Sequence, residues 1–369
     1  MVEWKKLGEV CEFLKGHSLS KNDLGKGESL VILYGELYTS YGNYITTIKS
    51  KTSFEKSKEA TLLKYNDLVL PVSSTTKEAL IGKVSVIKNN STISLGSDSI
   101  ILRGAFNPEY LMYYLNSSLF EKDKMSCVHG TTIMHLSPKE LAQKSIPIPS
   151  ISEQTRIVGI LDTFTTSIEN LKQQIAQRRK QYEHYRDQLL DLEGKEGVEM
   201  KRLSEVAELG TGSSNTNEEL SMGKYPFFVR SQAVRYKDEY EFDETAIITS
   251  GDGVGVGKIF HFIEGKYALH QRAYRIHLVK DGIVPKFFYY YFACHFYDYI
   301  QKNAFNSSVT SVRKPMLQKF PTPIIDKETQ LSIVSVLETF EASIANLEQQ
   351  LAQRERQYEY YRNKLLTFE

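Results

Sequence analysis

The chain has 369 residues, 41% of them hydrophobic and 25% charged, with a formal net charge of +1. That length and apolar content suit two or three domains with real cores, and the near-neutral balance excludes a bulk basic field, so nucleic-acid binding would need local patches or a partner's charge. The start MVEWKKLGEV lacks a signal-peptide core, no apolar run approaches the roughly 18 residues of a membrane span, and Cys11, Cys127 and Cys294 are too scattered for a disulfide framework, so a cytoplasmic protein without membrane association is expected.

The opening VEWKKLGEV at Val2–Val10 returns as VEMKRLSEV at Val198–Val206, 196 residues later. A variable segment follows it. Within that segment Asp67–Leu70, Ile81–Ile87 and Ser99–Leu102 predict strands, being β-branched runs bounded by Gly, Ser and Asn. The polar run Ser73, Ser74, Thr75, Thr76 and Lys77 predicts a loop between the first two. Gly82 and Lys83 lie inside the second strand, and Pro108–Leu115 predicts an aromatic helix opened by its proline. Thr131 and Thr132, followed by Lys139, suit phosphate contacts, helix capping, or both.

The stretch Pro147–Leu190 returns as Pro323–Leu366, identical at 24 of 44 positions without a gap. In the first copy Ile157, Leu161, Phe164, Ile168, Leu171, Ile175, Arg178, Tyr182, Tyr185 and Leu189 alternate at spacings of 4 and 3. Ile333, Leu337, Phe340, Ile344, Leu347, Leu351, Arg354, Tyr358, Tyr361 and Leu365 do the same in the second. This is the seam of a coiled coil, and two such runs in one chain are expected to pair with each other. Arg178 and Arg354 share one seam position, where a charge costs stability and tends to fix register. Gly194 and Gly197 mark the end of the first helix and the boundary between halves.

The second variable segment keeps the order of the first. Ala246–Thr249, Gly257–Phe260 and Arg272–Leu278 predict strands, Ser250–Gly253 a loop, and Pro285–Phe292 an aromatic helix. Gly251, Asp252, Gly253 and the residues to Lys258 invite a phosphate-loop reading, but Asp252 and Ile259 stand where the Walker pattern needs Gly and Ser or Thr. A tight turn, or a loop whose amides approach a phosphate ahead of a lysine, both remain open. Val256 likewise breaks the dinucleotide fingerprint. His270, Gln271 and Arg272 form a polar triplet; Gln suits adenine and Arg guanine, while a plain exposed strand edge is the alternative. Ser307, Ser308, Arg313 and Lys314 precede the second long helix as Thr131 and Thr132 precede the first. No zinc spacing and no nucleophile elbow occur, and Asn107-Pro108-Glu109 lacks the second proline and the aromatic of an adenine-methylase motif.

Taken together, the duplicated helices, the Ile146–Pro149 segment with Glu153, Gln154 and Arg156–Val158, and the Trp4…Leu7–Val10 start resemble the specificity subunits of type I restriction–modification enzymes. The resemblance covers essentially the whole chain. Its second copy departs where Thr329–Ser332 replaces Glu153–Arg156. The implied fold is α+β: two mixed α/β target-recognition domains in tandem pseudo-repeat, separated by two long helices forming an antiparallel coiled coil. The expected boundaries are residues 1–146 and 193–322 for the domains, and 147–192 and 323–369 for the helices. The resemblance also implies that each domain reads one half of a bipartite, asymmetric site in double-stranded DNA. Two modification (methyltransferase) subunits would hold the S-adenosylmethionine and restriction subunits would join them, so no catalysis and no cofactor are expected on this chain. Helices of roughly 40 residues, about 60 Å long, would act as a ruler. The competing readings are a stand-alone nucleotide-dependent enzyme using the Gly251–Lys258 loop, and a coiled-coil adaptor that reads no DNA.

Overall fold

The computed structural model describes residues 2–17, 19–75, 81–303 and 311–368. Thr76, Lys77, Ser307 and Ser308 lie outside them. The chain divides into two compact units, Met1–Leu171 with Gln350–Glu369, and Lys172–Gln349. The long helices run unbroken over Ile151–Leu190 and Lys327–Leu366, 40 residues each, so each unit holds part of both.

Each unit is closed by the same two-stranded clasp. Glu3–Lys6 pairs antiparallel with Ser145–Ile148, and Glu199–Arg202 pairs with Pro321–Ile324. The register is conserved: Glu3 faces Ile148 as Glu199 faces Ile324. The opening of each half is therefore tied to the strand that feeds its long helix.

In the first unit a five-stranded sheet is built on Ser99–Arg103, flanked by Glu12–Lys15 and Leu68–Pro71, and a four-stranded sheet on Leu24–Ile32. The central strands are buried on both faces, which explains their continuous apolar runs. Ile100 and Leu102 point into a core containing Tyr110, Tyr113, Ile157 and Leu161, whereas Ile101 between them packs with Ile32, Ile93 and Val69. The helix Pro108–Leu115 starts where expected. Asn107 caps it, its side-chain oxygen accepting from the Tyr110 amide at 2.9 Å. Tyr113 then donates to Asp162 of the long helix at 2.6 Å, as does the Tyr44 hydroxyl.

The second unit has one six-stranded sheet, in the order Ala207–Thr211, Ala273–Leu278, Phe242–Ser250, Phe260–Leu269, Tyr225–Phe228, Arg235–Lys237. Its aromatic helix is longer than expected, Pro285–Asn303, because Phe288, Phe292 and Phe296 continue a buried stripe against Phe320. Each fully buried phenyl contributes about 1.5–3 kcal/mol. Tyr290 donates to Glu341 of the long helix at 2.8 Å, and the His295 ring meets the Leu190 carbonyl at 2.9 Å where the first helix ends. Gly194 and Gly197 follow with φ of 75° and 80°.

Within each unit the long helices meet along the seam. Ile157, Leu161, Ile175, Ile333 and Leu337 are buried and most other seam residues half-buried; Tyr185 and Tyr361 stay largely exposed while stacking on Phe340 and Phe164. A two-stranded coil covers its seam only from one side, which explains the gradation. In the second unit Arg179 bonds Glu348 and Tyr182 bonds Glu341, so the helices run antiparallel there.

Three local expectations are corrected. The strand expected at Ile81–Ile87 is confined to Ser85–Ile87, and that at Gly257–Phe260 begins only at Phe260. Gly82 and Gly257 have φ of 69° and 70°, a left-handed turn no extended strand can contain. Ser73–Ser74 is a short strand paired with Met134–His135, not a loop.

Candidate nucleic-acid interface

The sheet order of the second unit forces a crossing. Strand Phe260–Leu269 and strand Ala273–Leu278 lie on opposite sides of strand Phe242–Ser250, so residues 270–272 must pass over that central strand's end. There the Gly251 amide donates to the Arg272 carbonyl at 2.9 Å, and the Val312 amide to the Gly251 carbonyl at 2.8 Å. A Cβ on Gly251 would stand 2.7 Å from the Arg272 carbonyl oxygen, so glycine is required by close approach.

The first unit repeats these two hydrogen bonds beyond the end of strand Leu68–Pro71, although its chain arrives there from Ile93–Leu95 of the other sheet. The Val72 amide donates to the Asp98 carbonyl at 2.8 Å, and the Leu136 amide to the Val72 carbonyl at 2.8 Å. Val72 thus stands where Gly251 does, Asp98 where Arg272 does, and Leu136 where Val312 does.

The hydrogen bonds are equivalent but the backbones are not identical, since Asp98 is left-handed and Val72 carries the Cβ that Gly251 cannot, and the side chains differ in charge. In the second unit Asp252 accepts from Arg230 at 2.7 Å and from Arg272 at 3.1 Å. Burial pushes the Asp252 carboxyl up, but the two guanidinium groups outweigh it and hold it below its ordinary range. Among the described residues of segments 229–232, 251–259, 270–272 and 311–314, Asp252 is the one carboxylate, beside Arg230, Lys258, Arg272, Arg313 and Lys314. At the first unit's crossing the Ser73 hydroxyl donates to Asp98 at 2.8 Å and lies 3.0 Å from His135 Nδ1. Asp98 is exposed with φ of 58°, a conformation Asp tolerates better than most residues.

The expected reading residues separate into two kinds. Arg272 is exposed, in the crossing turn and not on a strand edge. Gln271 beside it is exposed, with its amide nitrogen on Asn215 Oδ1. His270 is buried, its Nδ1 accepting from the Arg272 amide at 3.0 Å; burial, helped by Arg230, pushes its pKa down. His270 therefore shapes the turn and offers no edge to a base.

Lys258 is exposed with its ammonium 5.1 Å over the Tyr297 ring, whereas Lys83 is half-buried and donates to the Tyr41 carbonyl at 2.5 Å. Burial lowers the Lys83 pKa. The two lysines follow equivalent left-handed glycines yet face different surroundings. Ser73 and Ser74 are buried; Thr75, Thr131, Thr132, Gly253, Arg313 and Lys314 are exposed.

Asp98, His135 and Arg230 carry the polar chemistry at the crossings and were not singled out from sequence. The signal available was weak: a short polar turn before a buried strand.

The Gly251–Lys258 loop leads into a strand at Phe260, where a phosphate loop of the Walker type leads into a helix. Among the described residues no group of three His, Cys, Asp or Glu is placed to hold a metal, and no helix is long and apolar enough to cross a membrane.

Residues 1–178 and 195–356 match the family model described as the type I restriction modification DNA specificity domain. The chain is 28% identical over 260 residues to the EcoR124I/EcoR124II specificity subunit of Escherichia coli, covering 62% of this chain and 64% of that one. It thus spans a little under two thirds of that relative's length. The fold matches a type I restriction–modification S subunit from M. genitalium with a TM-score of 0.67 at 15% identity, covering 100% of this chain and 97% of that one. An HsdS subunit from Thermoanaerobacter tengcongensis matches at a TM-score of 0.50 and 17% identity, covering 99% and 96%.

Proposed function

Because the chain belongs to the type I restriction–modification DNA specificity family, we propose that it is the DNA-reading subunit of a restriction–modification complex. Each variable domain, residues 1–146 and 193–322, reads one half of a bipartite site in double-stranded DNA. The helical segments 147–192 and 323–369 carry partner contacts. Methyl transfer and cleavage belong to two modification (methyltransferase) subunits and to restriction subunits, and this chain is not itself catalytic.

The observation that supports this reading best is the repeated pair of hydrogen bonds with exchanged chemistry. Equivalent main-chain hydrogen bonds place Asp98 at the crossing of one unit and Arg272 at that of the other. A carboxylate can accept from the amino group of cytosine, and a guanidinium donates in bidentate fashion to guanine. Two equivalent positions with opposite charges suit two unlike half-sites. The cations gather at the second crossing, Arg230, Lys258, Arg272, Arg313 and Lys314 against Asp252, which leaves a partner to supply the clamp at the first. The stand-alone enzyme reading is not favoured, since its loop runs into a strand.

Base-resolved mapping of methylated adenines, in cells carrying this chain with its modification subunits, tests the proposal. A bipartite asymmetric motif is expected. A continuous motif, or methyl transfer by the purified chain alone, would overturn it.

A further inference from the structure

We propose that Val254 reads a thymine by packing against its 5-methyl group in the major groove, which rests on the DNA-reading role above. Val254 is 103% exposed, so its isopropyl group touches almost nothing in the chain. Isolated exposed apolar side chains are ordinary. This one differs in its setting, at the point of a loop flanked by Arg230 and Arg272, both held on Asp252, and by Lys258.

The tip is held from both sides. Before it, the Ser250 hydroxyl donates to the Asp252 carbonyl at 2.8 Å and the Gly251 amide is fixed on Arg272. After it, the Val256 amide donates to Gly253 at 3.2 Å and the Lys258 amide to Gly255 at 3.0 Å. Val256 is buried, and Gly257 sits so close to Ile300 that a Cβ would stand 2.5 Å from its Cδ1. Gly253, at φ 85°, makes the bend and leaves no side chain beside the tip. The flanking cations match the phosphates lining a groove, and the glycines let the backbone come close.

The side chain's size selects the contact. Wedges that unstack base steps are longer: Phe, Leu, Ile, Met or Pro. Valine is short and stiff about χ1, so it can be presented with little loss of entropy. An apolar group of that reach suits the thymine methyl, which projects into the major groove.

The test uses the complex of this chain with its modification subunits and the methylation motif it writes. Each thymine of the motif is replaced singly by uracil, which removes only the 5-methyl group. At one position the native complex should bind about fourfold more weakly, the effect of roughly one buried carbon. Val254→Ser should abolish that difference, Val254→Thr should keep part of it, and neither should alter the other half-site or the melting temperature. The proposal is overturned if uracil is tolerated everywhere, if that half-site contains no thymine, or if Val254→Ser discriminates as the native chain does. A complex writing no defined motif would instead bring down the DNA-reading role, and this proposal with it.

Discussion

The Arg354 guanidinium lies 5.7 Å from the centre of the Phe164 ring, on the coiled-coil seam of the first unit. In the second unit Arg178 lies 5.7 Å from Phe340. A charged residue on a seam ordinarily costs stability. Here the aromatic face answers the charge, and Tyr361 and Tyr185 stack on the same rings at 5.4 and 5.5 Å. A double-mutant cycle of Arg354→Ala with Phe164→Leu, read by urea unfolding, should give a coupling of about 0.5–1 kcal/mol. Strictly additive effects would show that the guanidinium merely passes over the ring.

The two lysines after left-handed glycines should behave differently. Lys258→Ala should weaken DNA binding by the full complex for all sequences and make its salt dependence shallower by about one counterion. Lys83→Ala should leave DNA affinity unchanged and lower stability, since its ammonium is tied to the Tyr41 carbonyl. Equal losses of DNA affinity in both variants would contradict this assignment.

At the crossings, Arg272→Ala should relax one position of one half-site, costing about 1–3 kcal/mol of discrimination. Asp98→Ala should do the same in the other half-site. Methylation mapping decides it: if both variants write the native motif, the crossings do not read bases.

Stability of the second unit should fall as the pH drops below the ordinary histidine value of 6.5. Burial lowers the pKa of both His261 and His270, so the unfolded chain takes up protons before the folded one does. Their contribution is complete above 6.5 and is lost as the pH falls through the depressed folded values. Thermal unfolding between about pH 7.5 and 5 should show this slope, and His261→Gln or His270→Gln should flatten it. An unchanged slope in both variants would assign it to other groups.

Both long helices pass through the division between the units, after Leu171 and after Gln349. Four residues inserted after Leu171 add about 6 Å of helix and shift the seam by half a repeat, which local unwinding can absorb. A matched insertion after Gln349 keeps the antiparallel partners in step. The methylated motif should then keep both half-site sequences, with the gap one or two base pairs longer at about 3.4 Å each. Unchanged spacing would mean that helix length does not set the gap.

The long helices, the tandem repeat and the aromatic helices were legible in the chain itself, because each depends on spacing within one segment. A seam of alternating 4 and 3 is a local property, and so is a proline opening a helix. The clasp was not legible, for the repeat of Val2–Val10 at Val198–Val206 does not say that Glu3–Lys6 pairs with Ser145–Ile148 or Glu199–Arg202 with Pro321–Ile324. The turns at Gly82 and Gly257 were misread as strand because a glycine's φ is not written in its neighbours. Asp98 and Arg230 escaped notice for a deeper reason. They gain significance only where a turn passes over a central strand, beside residues distant in sequence. That crossing is fixed by sheet order, and sheet order is decided by which buried faces can be covered together. The same cause turned Lys83 inward and left Lys258 outside: identical Gly-Lys pairs met different packing once each sheet had closed.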